Sequence, residues 1–320
     1  MDNAELAYLL GMVAGKGEVI RDNSQTKIII TIPHKALVCE GIPTQLSVKA
    51  SLDDIRNSIE PLIGTRLQSN QDGNKTILAF TKDNEDLLIR EINRYFGRLR
   101  SFKDFRIPQD IFKASLDIKR IFIVGLADVT AYIRRSNAAF GQPCHHRTYI
   151  EMPANWYLVI DIANLLHDLD VPIHTIDWAH PNMRDPNLKD YNSGKHNAWA
   201  REHQIKVFAD EYEKVGFRVV HKKHALEKLS RSNKSAWDDD LYQKIQHAPS
   251  EAKKQNYQRQ IGHIAINHHR YYWEMKSRNI VKPSHPMENS PRIPEEIRGR
   301  HFDSWKDICR ALGYPRSNNE

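Results

Sequence analysis

The chain has 320 residues, of which 40% are hydrophobic and 27% charged, and its formal net charge is +7. Domains usually run to about 100–150 residues, so this length holds two core-bearing units plus an extension, and the composition excludes a disordered or fibrous chain. No apolar run reaches the roughly 18 residues of a membrane helix, and residues 1–5 lack the basic and apolar blocks of a signal peptide, so a cytoplasmic, non-membrane protein is expected. Cys39, Cys144 and Cys309 are odd in number and far apart, which supports neither a disulfide framework nor a cysteine zinc site. The excess positive charge suits a polyanionic partner, because lysines and arginines that neutralise phosphates release condensed counterions.

In chain order, an apolar helix ending in Gly11-Met-Val-Ala-Gly-Lys-Gly-Glu18 comes first. Strands at 18–21 and 27–32 follow, the second rich in isoleucine and threonine. A helix fits 49–63, where Leu52, Ile55, Ile59, Leu62 and Ile63 recur on one face and Gly64 can stop it. Strands near 65–68 and 76–81 flank a turn-forming Asn-Gln-Asp-Gly-Asn stretch, and a helix over 85–96 closes the unit at Gly97.

The same order returns in the second half. A helix over 108–128 runs into the segment Ile121-Phe-Ile-Val-Gly-Leu-Ala-Asp-Val-Thr-Ala-Tyr132, in which Gly125 aligns with Gly11. Strands at 132–135 and 147–152, a helix over 155–169, and strands near 172–178 and 203–208 complete it. Residues 179–201, rich in proline, asparagine, aspartate and histidine, read as a loop insertion. A closing strand and helix are expected over 219–229, and a polar helix over 238–259.

Two copies of helix-β-β-helix-β-β-helix, each opened by an apolar helix ending near Gly-x-x-(Asp)-x-(Asp)-Gly, resemble the LAGLIDADG endonuclease family over residues 4–230. The resemblance implies an α+β fold of two pseudo-symmetric αββαββα repeats, spanning 1–100 and 101–235, with saddle-shaped antiparallel sheets lying in the DNA major groove. A mostly helical extension over 236–320 completes the chain. It also implies that the two motif helices pack along the pseudo-twofold axis, which Gly11, Ala14, Gly15, Gly125 and Ala127 suit sterically.

Active family members place an acidic residue at the penultimate motif position of each copy to hold divalent metal ions. Lys16 and Thr130 stand there in this chain, and neither is the anionic oxygen donor a hard Mg²⁺ or Mn²⁺ ion prefers. The nearby carboxylates are Glu18 and Asp128. Three readings stay open. Glu18 and Asp128 hold metal while Lys16 aids catalysis; or Lys16 contacts phosphate and Asp128 caps backbone amides in a silent DNA binder; or these are solvated helix-end charges.

Candidate DNA contacts are Arg21, Asn23 and Gln25 in the first repeat and Arg134, Arg135 and Asn137 in the second. Arg184 and Lys189 in the insertion and Arg298 and Arg300 in the extension join them. A solvated edge strand or surface loop is the alternative for each. His174, Asp177 and His180 match no strong zinc signature, and Tyr271 to Trp273 suit stacking on bases or burial. The resemblance implies a monomeric, sequence-specific, metal-dependent double-strand DNA endonuclease of homing or restriction type. The alternatives are a catalytically inactive DNA-binding regulator and an RNA-binding or RNA-processing factor.

Overall fold

A computed structural model describes residues 3–38, 41–134, 146–153, 155–171, 173, 175–181, 201–238, 247–253, 296 and 310–311. Helix α1 (Ala4–Lys16) is capped by Asn3, whose Oδ1 accepts from Leu6 N. Every residue from Leu6 to Lys16 is buried, as befits a helix apolar on all sides. Strands β1 (Gly17–Arg21) and β2 (Gln25–Pro33), a single turn α2 (His34–Leu37), helix α3 (Thr44–Ile63), strands β3 (Gln68–Asp72) and β4 (Lys75–Asp83), and helix α4 (Leu87–Phe96) follow. Gly64, with φ at +72°, ends α3 as its sequence suggests, whereas α3 begins five residues before the predicted start, directly after Pro43. The predicted strand at 65–68 is displaced to Gln68–Asp72, because the β3–β4 turn uses only Gly73 and Asn74, and Gly73 supplies the positive φ of +59°.

The second repeat holds α5 (Gln109–Phe112), α6 (Leu116–Thr130), β5 (Ala131–Arg134), β6 (Arg147–Pro153), α7 (Trp156–Asp168), β7 (Thr175–Pro181), β8 (Arg201–Phe208), α8 (Ala209–Tyr212) and α9 (Val220–Asp238). The single helix predicted over 108–128 is two, because Ser115 accepts from Ile118 N and starts α6 afresh. The predicted strand at the start of 219–229 is instead the first part of α9. Strand β7 extends into the predicted insertion. The remainder of that insertion, 182–200, and nearly all of the 236–320 extension lie outside the described residues.

The two four-stranded sheets are antiparallel and share one order, β1-β2-β4-β3 in the first and β5-β6-β8-β7 in the second. Each lays alternate residues on the helices: Val19, Ile28, Ile30, Leu78 and Phe80 in one, Ala131, Ile150, Met152, Ile205 and Val207 in the other. Among the described residues, no helix is long and apolar enough to cross a membrane.

The helices α1 and α6 meet through their glycines. A Cβ at Gly11 would stand 2.0 Å from Phe122 O, and one at Gly125 would stand 2.0 Å from Tyr8 O. Each clashing carbonyl belongs to the residue three positions before the other helix's glycine, so the contact is reciprocal and defines the pseudo-twofold relation between the repeats. Gly11→Ala or Gly125→Ala must push one backbone off the other. Each is expected to lower stability by roughly 3 kcal/mol, the upper range for overpacking, as read from the urea midpoint by circular dichroism. An unchanged midpoint in both variants would show that the helices do not touch here.

Candidate nucleic-acid interface

The C-terminal ends of α1 and α6 carry the motif positions. Lys16 is 6% exposed, with its Nζ 5.7 Å from the centre of the Phe102 ring. Thr130, 2% exposed, donates its hydroxyl proton to Leu126 O at 2.7 Å, the back-bond that short hydroxyl side chains make in a helix.

Asp128 is wholly buried. Its Oδ2 accepts from Tyr8 Oη at 2.8 Å and from Arg218 N at 3.2 Å. Lys222, itself 2% exposed, donates from Nζ to Ala127 O, Asp128 O and Ala131 O at 3.0, 3.2 and 2.7 Å. The ammonium thereby gathers carbonyls at and just beyond the end of α6, where the macrodipole favours a cation, and it shares Ala127 O with the N–H of Ala131. Arg218 closes the cluster, lying 4.3 Å over the Tyr8 ring and gripping Glu5 with both guanidinium nitrogens, at 2.5 and 2.9 Å. Burial raises the Asp128 carboxyl above its ordinary value of 3.8, against the opposing pull of Lys222 and the Tyr8 and backbone hydrogen bonds. Burial and the neighbouring Asp128 hold the Tyr8 phenol well above its usual range.

Glu18 points the other way. Strand β1 alternates, with Gly17 and Val19 buried while Glu18 is partly exposed and Ile20 is 50% exposed. Glu18 lines an open cleft with Val19, Ile20, Arg21, Arg100 and Ser101. The residues therefore do not fit a divalent cation shared by Glu18 and Asp128: one carboxylate faces outward, and the other is sealed under Tyr8 and the start of α9. Among the described residues, no three His, Cys, Asp or Glu side chains come together as metal ligands.

The remaining candidates separate by sheet face. Arg21 is a structural clamp, donating to Gly97 O, Leu99 O and Asn93 Oδ1 at 2.7, 2.9 and 2.8 Å and so holding the end of α4. Asn23 is exposed in the β1–β2 turn. Gln25 is exposed on the outer face of the first sheet, where its Nε2 donates to Asp83 Oδ1 at 3.1 Å. Arg135, Asn137, Arg184, Lys189, Arg298 and Arg300 lie outside the described residues, as does the side chain of each member of the His174, Asp177, His180 group.

Arg134 has company that its own strand does not announce. The β5–β6 register sets it directly opposite Arg147, and Tyr132 opposite Tyr149. The β6–β8 register adds Lys206 opposite Tyr149 and Phe208 opposite Arg147. All six project from the outer face, since their neighbours Ala131, Thr148, Ile150, Ile205 and Val207 are buried inward. Tyr132 and Tyr149 stack with centroids 5.1 Å apart, and Arg134 and Lys206 lie over Tyr149 at 5.3 and 5.7 Å. Arg147 lies 5.4 Å from the Phe208 ring centre. Glu151 anchors the far end, accepting from Tyr132 Oη at 2.9 Å and Gln204 Nε2 at 2.7 Å and pairing with Lys35 from the other repeat. Burial and Glu151 push the Tyr132 phenol far above its usual range.

Arg147 and Lys206 escape a sequence reading because only cross-strand register brings them to Arg134. Like charges directly opposite in a ladder are destabilising. Here the two arginines face each other, and Nε of each is enclosed with no hydrogen-bond partner among the described residues. Cations over aromatic rings, retained at that cost, form a surface suited to an anion.

No known family signature matches the sequence, and no curated protein matches it. Among solved structures, the chain is similar in fold to the homing endonuclease I-DmoI in complex with DNA and Mn, at 15% identity over 69% of this chain and 96% of that one, with a TM-score of 0.36. It is similar to the LAGLIDADG meganuclease I-AabMI bound to uncleaved DNA at 8% identity, over 79% and 97% of the two chains, with a TM-score of 0.38. Full-length DUF199/WhiA from Thermatoga maritima is similar at 9% identity over 98% and 87%, with a TM-score of 0.37.

The raised Asp128 carboxyl carries a pH signature. A folded-state pKa above the unfolded one means that the unfolded chain releases this proton first. The contribution of Asp128 to stability is therefore fully present below pH ~3.9 and declines as pH rises through the folded value. Asp128→Asn removes that dependence. The stability of the wild type relative to Asp128→Asn is expected to fall as pH rises above ~4, measured by urea unfolding across the acid range. A difference that stays flat or grows with pH would contradict a raised carboxyl.

Proposed function

We propose that the protein binds duplex DNA through the outward faces of its two sheets and does not cut it at the motif-helix ends. The observation that carries the binding half is the Arg134–Arg147 pair, set opposite each other on the outer face with Lys206 beside them and aromatic rings beneath. A polyanion relieves the repulsion within that cluster, and its release of counterions supplies affinity. An antiparallel sheet presents alternate side chains at a spacing that can follow a groove, and arginine is the side chain best shaped for phosphate and for the guanine edge. The saddle of the LAGLIDADG family, which the repeats resemble, lies in the DNA major groove, and this supports the reading.

The non-cleaving half rests on Asp128. Its carboxylate holds the start of α9 and the Tyr8 hydroxyl, which is the backbone-capping role of a silent DNA binder and not that of a hard-metal ligand open to a scissile phosphate. Lys16 and Thr130 add no carboxylate where the resemblance implies a metal-binding pair. The endonuclease reading is the rival, with Glu18 as its outward carboxylate.

In electrophoretic and fluorescence titrations, the full chain is expected to retain labelled duplex and to lose affinity linearly in log salt. Arg147→Ala is expected to weaken binding about tenfold and to reduce the salt slope by about 1. Plasmid DNA incubated with Mg²⁺ or Mn²⁺ should stay intact. Discrete fragments that vanish in Glu18→Gln would overturn the non-cleaving half. Preference for structured RNA over duplex in direct competition would overturn the DNA assignment.

A further inference from the structure

The two sheets share topology, but their outward faces differ in chemistry. On the first sheet, the register aligns Glu18 with Ile29, Ile20 with Lys27, Ile29 with Ala79 and Thr31 with Ile77. Its outward acids Glu18, Asp72 and Asp83 offset its bases Lys27, Lys75 and Arg100, and Lys75 is paired with Asp72 at 2.9 Å. Asp83 accepts from Gln25 at 3.1 Å. What this face offers a ligand is apolar: Ile20 is 50% exposed, and Ile29 and Ile77 are partly exposed. At its far edge stand the amides of Gln68 and Asn70, exposed on β3 opposite Ala79 and Ile77.

We propose that the sheets divide duplex recognition unequally: the second anchors phosphates through Arg134, Arg147 and Lys206, and the first reads thymine methyls through Ile20, Ile29 and Ile77. The preferred site is then lopsided, with a thymine-rich half under the first sheet. The inference rests on the outward faces being the DNA surface and specifies what each does there.

Charge decides which sheet does which. A face whose acids offset its bases gains little from counterion release. In the major groove, however, each A·T pair presents the thymine C5-methyl, an apolar target that guanine and cytosine lack. Branched aliphatic side chains standing out from a pleat meet such methyls without a hydrogen bond to satisfy. Glutamine or asparagine at the edge suits the paired donor and acceptor of adenine. The second face is built for the opposite task. Its guanidinium groups rest on Tyr149 and Phe208, and the terminal N–H groups of arginine suit phosphate oxygens.

The test uses the full chain in a metal-free buffer. Selection from a randomised duplex library is expected to enrich a site with a thymine-rich block on one side only. Replacing thymines of that block by deoxyuridine removes the methyls without altering the protein, so folding is not at issue. Affinity should drop about fourfold per contacted methyl, the factor for burying one CH₂-sized group. The same replacement should have no effect on Ile20→Ser/Ile29→Ser/Ile77→Ser. Arg134→Ala, Arg147→Ala and Lys206→Ala should each flatten the salt dependence on every sequence, whereas Lys27→Ala and Lys75→Ala should leave it unchanged. Equal affinity for thymine and deoxyuridine sites, or equal salt effects from the lysines of the first sheet, would overturn the division while leaving duplex binding standing. Failure to bind any duplex would overturn the DNA reading and the division together.

Discussion

The crossing of α1 and α6 governs the rest of the molecule. Two helices whose backbones touch at Gly11 and Gly125 leave no room for a Cβ at either position. The contact takes the same form from both sides, with each glycine lying on the carbonyl three residues before the other. Such closeness requires both helices to be buried on nearly every side, and the chain provides this with one sheet and its covering helices for each. The duplicated order of elements is thus a packing solution to one central contact. Because each sheet buries its inner face against this pair, its other face points away from the core.

Around that contact the chain has placed a polar network at a motif-helix end. Asp128 receives Tyr8 from the opposite motif helix and the backbone of Arg218 from the approach to α9, while Lys222 closes the α6 carbonyls. The start of α9 is tied to the first repeat as well: Asp54 Oδ2 accepts from Val220 N at 2.8 Å, and His221 Nε2 lies 3.0 Å from Leu37 O. Burial makes such a network demanding, since each buried polar group needs its partner. Oδ2 of the carboxylate is committed to architecture while Oδ1 is enclosed without a hydrogen-bond partner among the described residues, and burial withdraws the group from solvent. Structure and chemistry compete for one side chain, and here structure holds it.

The outward faces inherit fewer constraints, and they have diverged. Inward positions of both sheets are filled by aliphatic side chains, because both meet the same kind of helix surface. Outward positions carry isoleucines among acids in one sheet and arginines over tyrosines in the other. A pseudo-twofold fold need not have a twofold ligand surface. The inward faces are held alike by the central packing, while the outward ones are free of that constraint.

What the sequence determined by itself was local or repeated: the two glycine-bearing helices, the order of elements along the chain, the stop at Gly64 and the absence of acids at positions 16 and 130. These are legible because helix and strand periods, turn residues and an internal repeat act over short spans or report themselves twice. The break at Ser115 was less legible, since Ser115 competes with an apolar run that reads through it. The tertiary structure alone decided the fate of Asp128, because its partners lie 120 and 90 residues away in the chain. It alone set Arg134 against Arg147 and Lys206 too, through a pairing register whose shift by a single residue would turn every side chain to the opposite face. A charge at a helix end or on a strand has no fixed meaning until its cover and its cross-strand neighbour are known, and long-range packing supplies both.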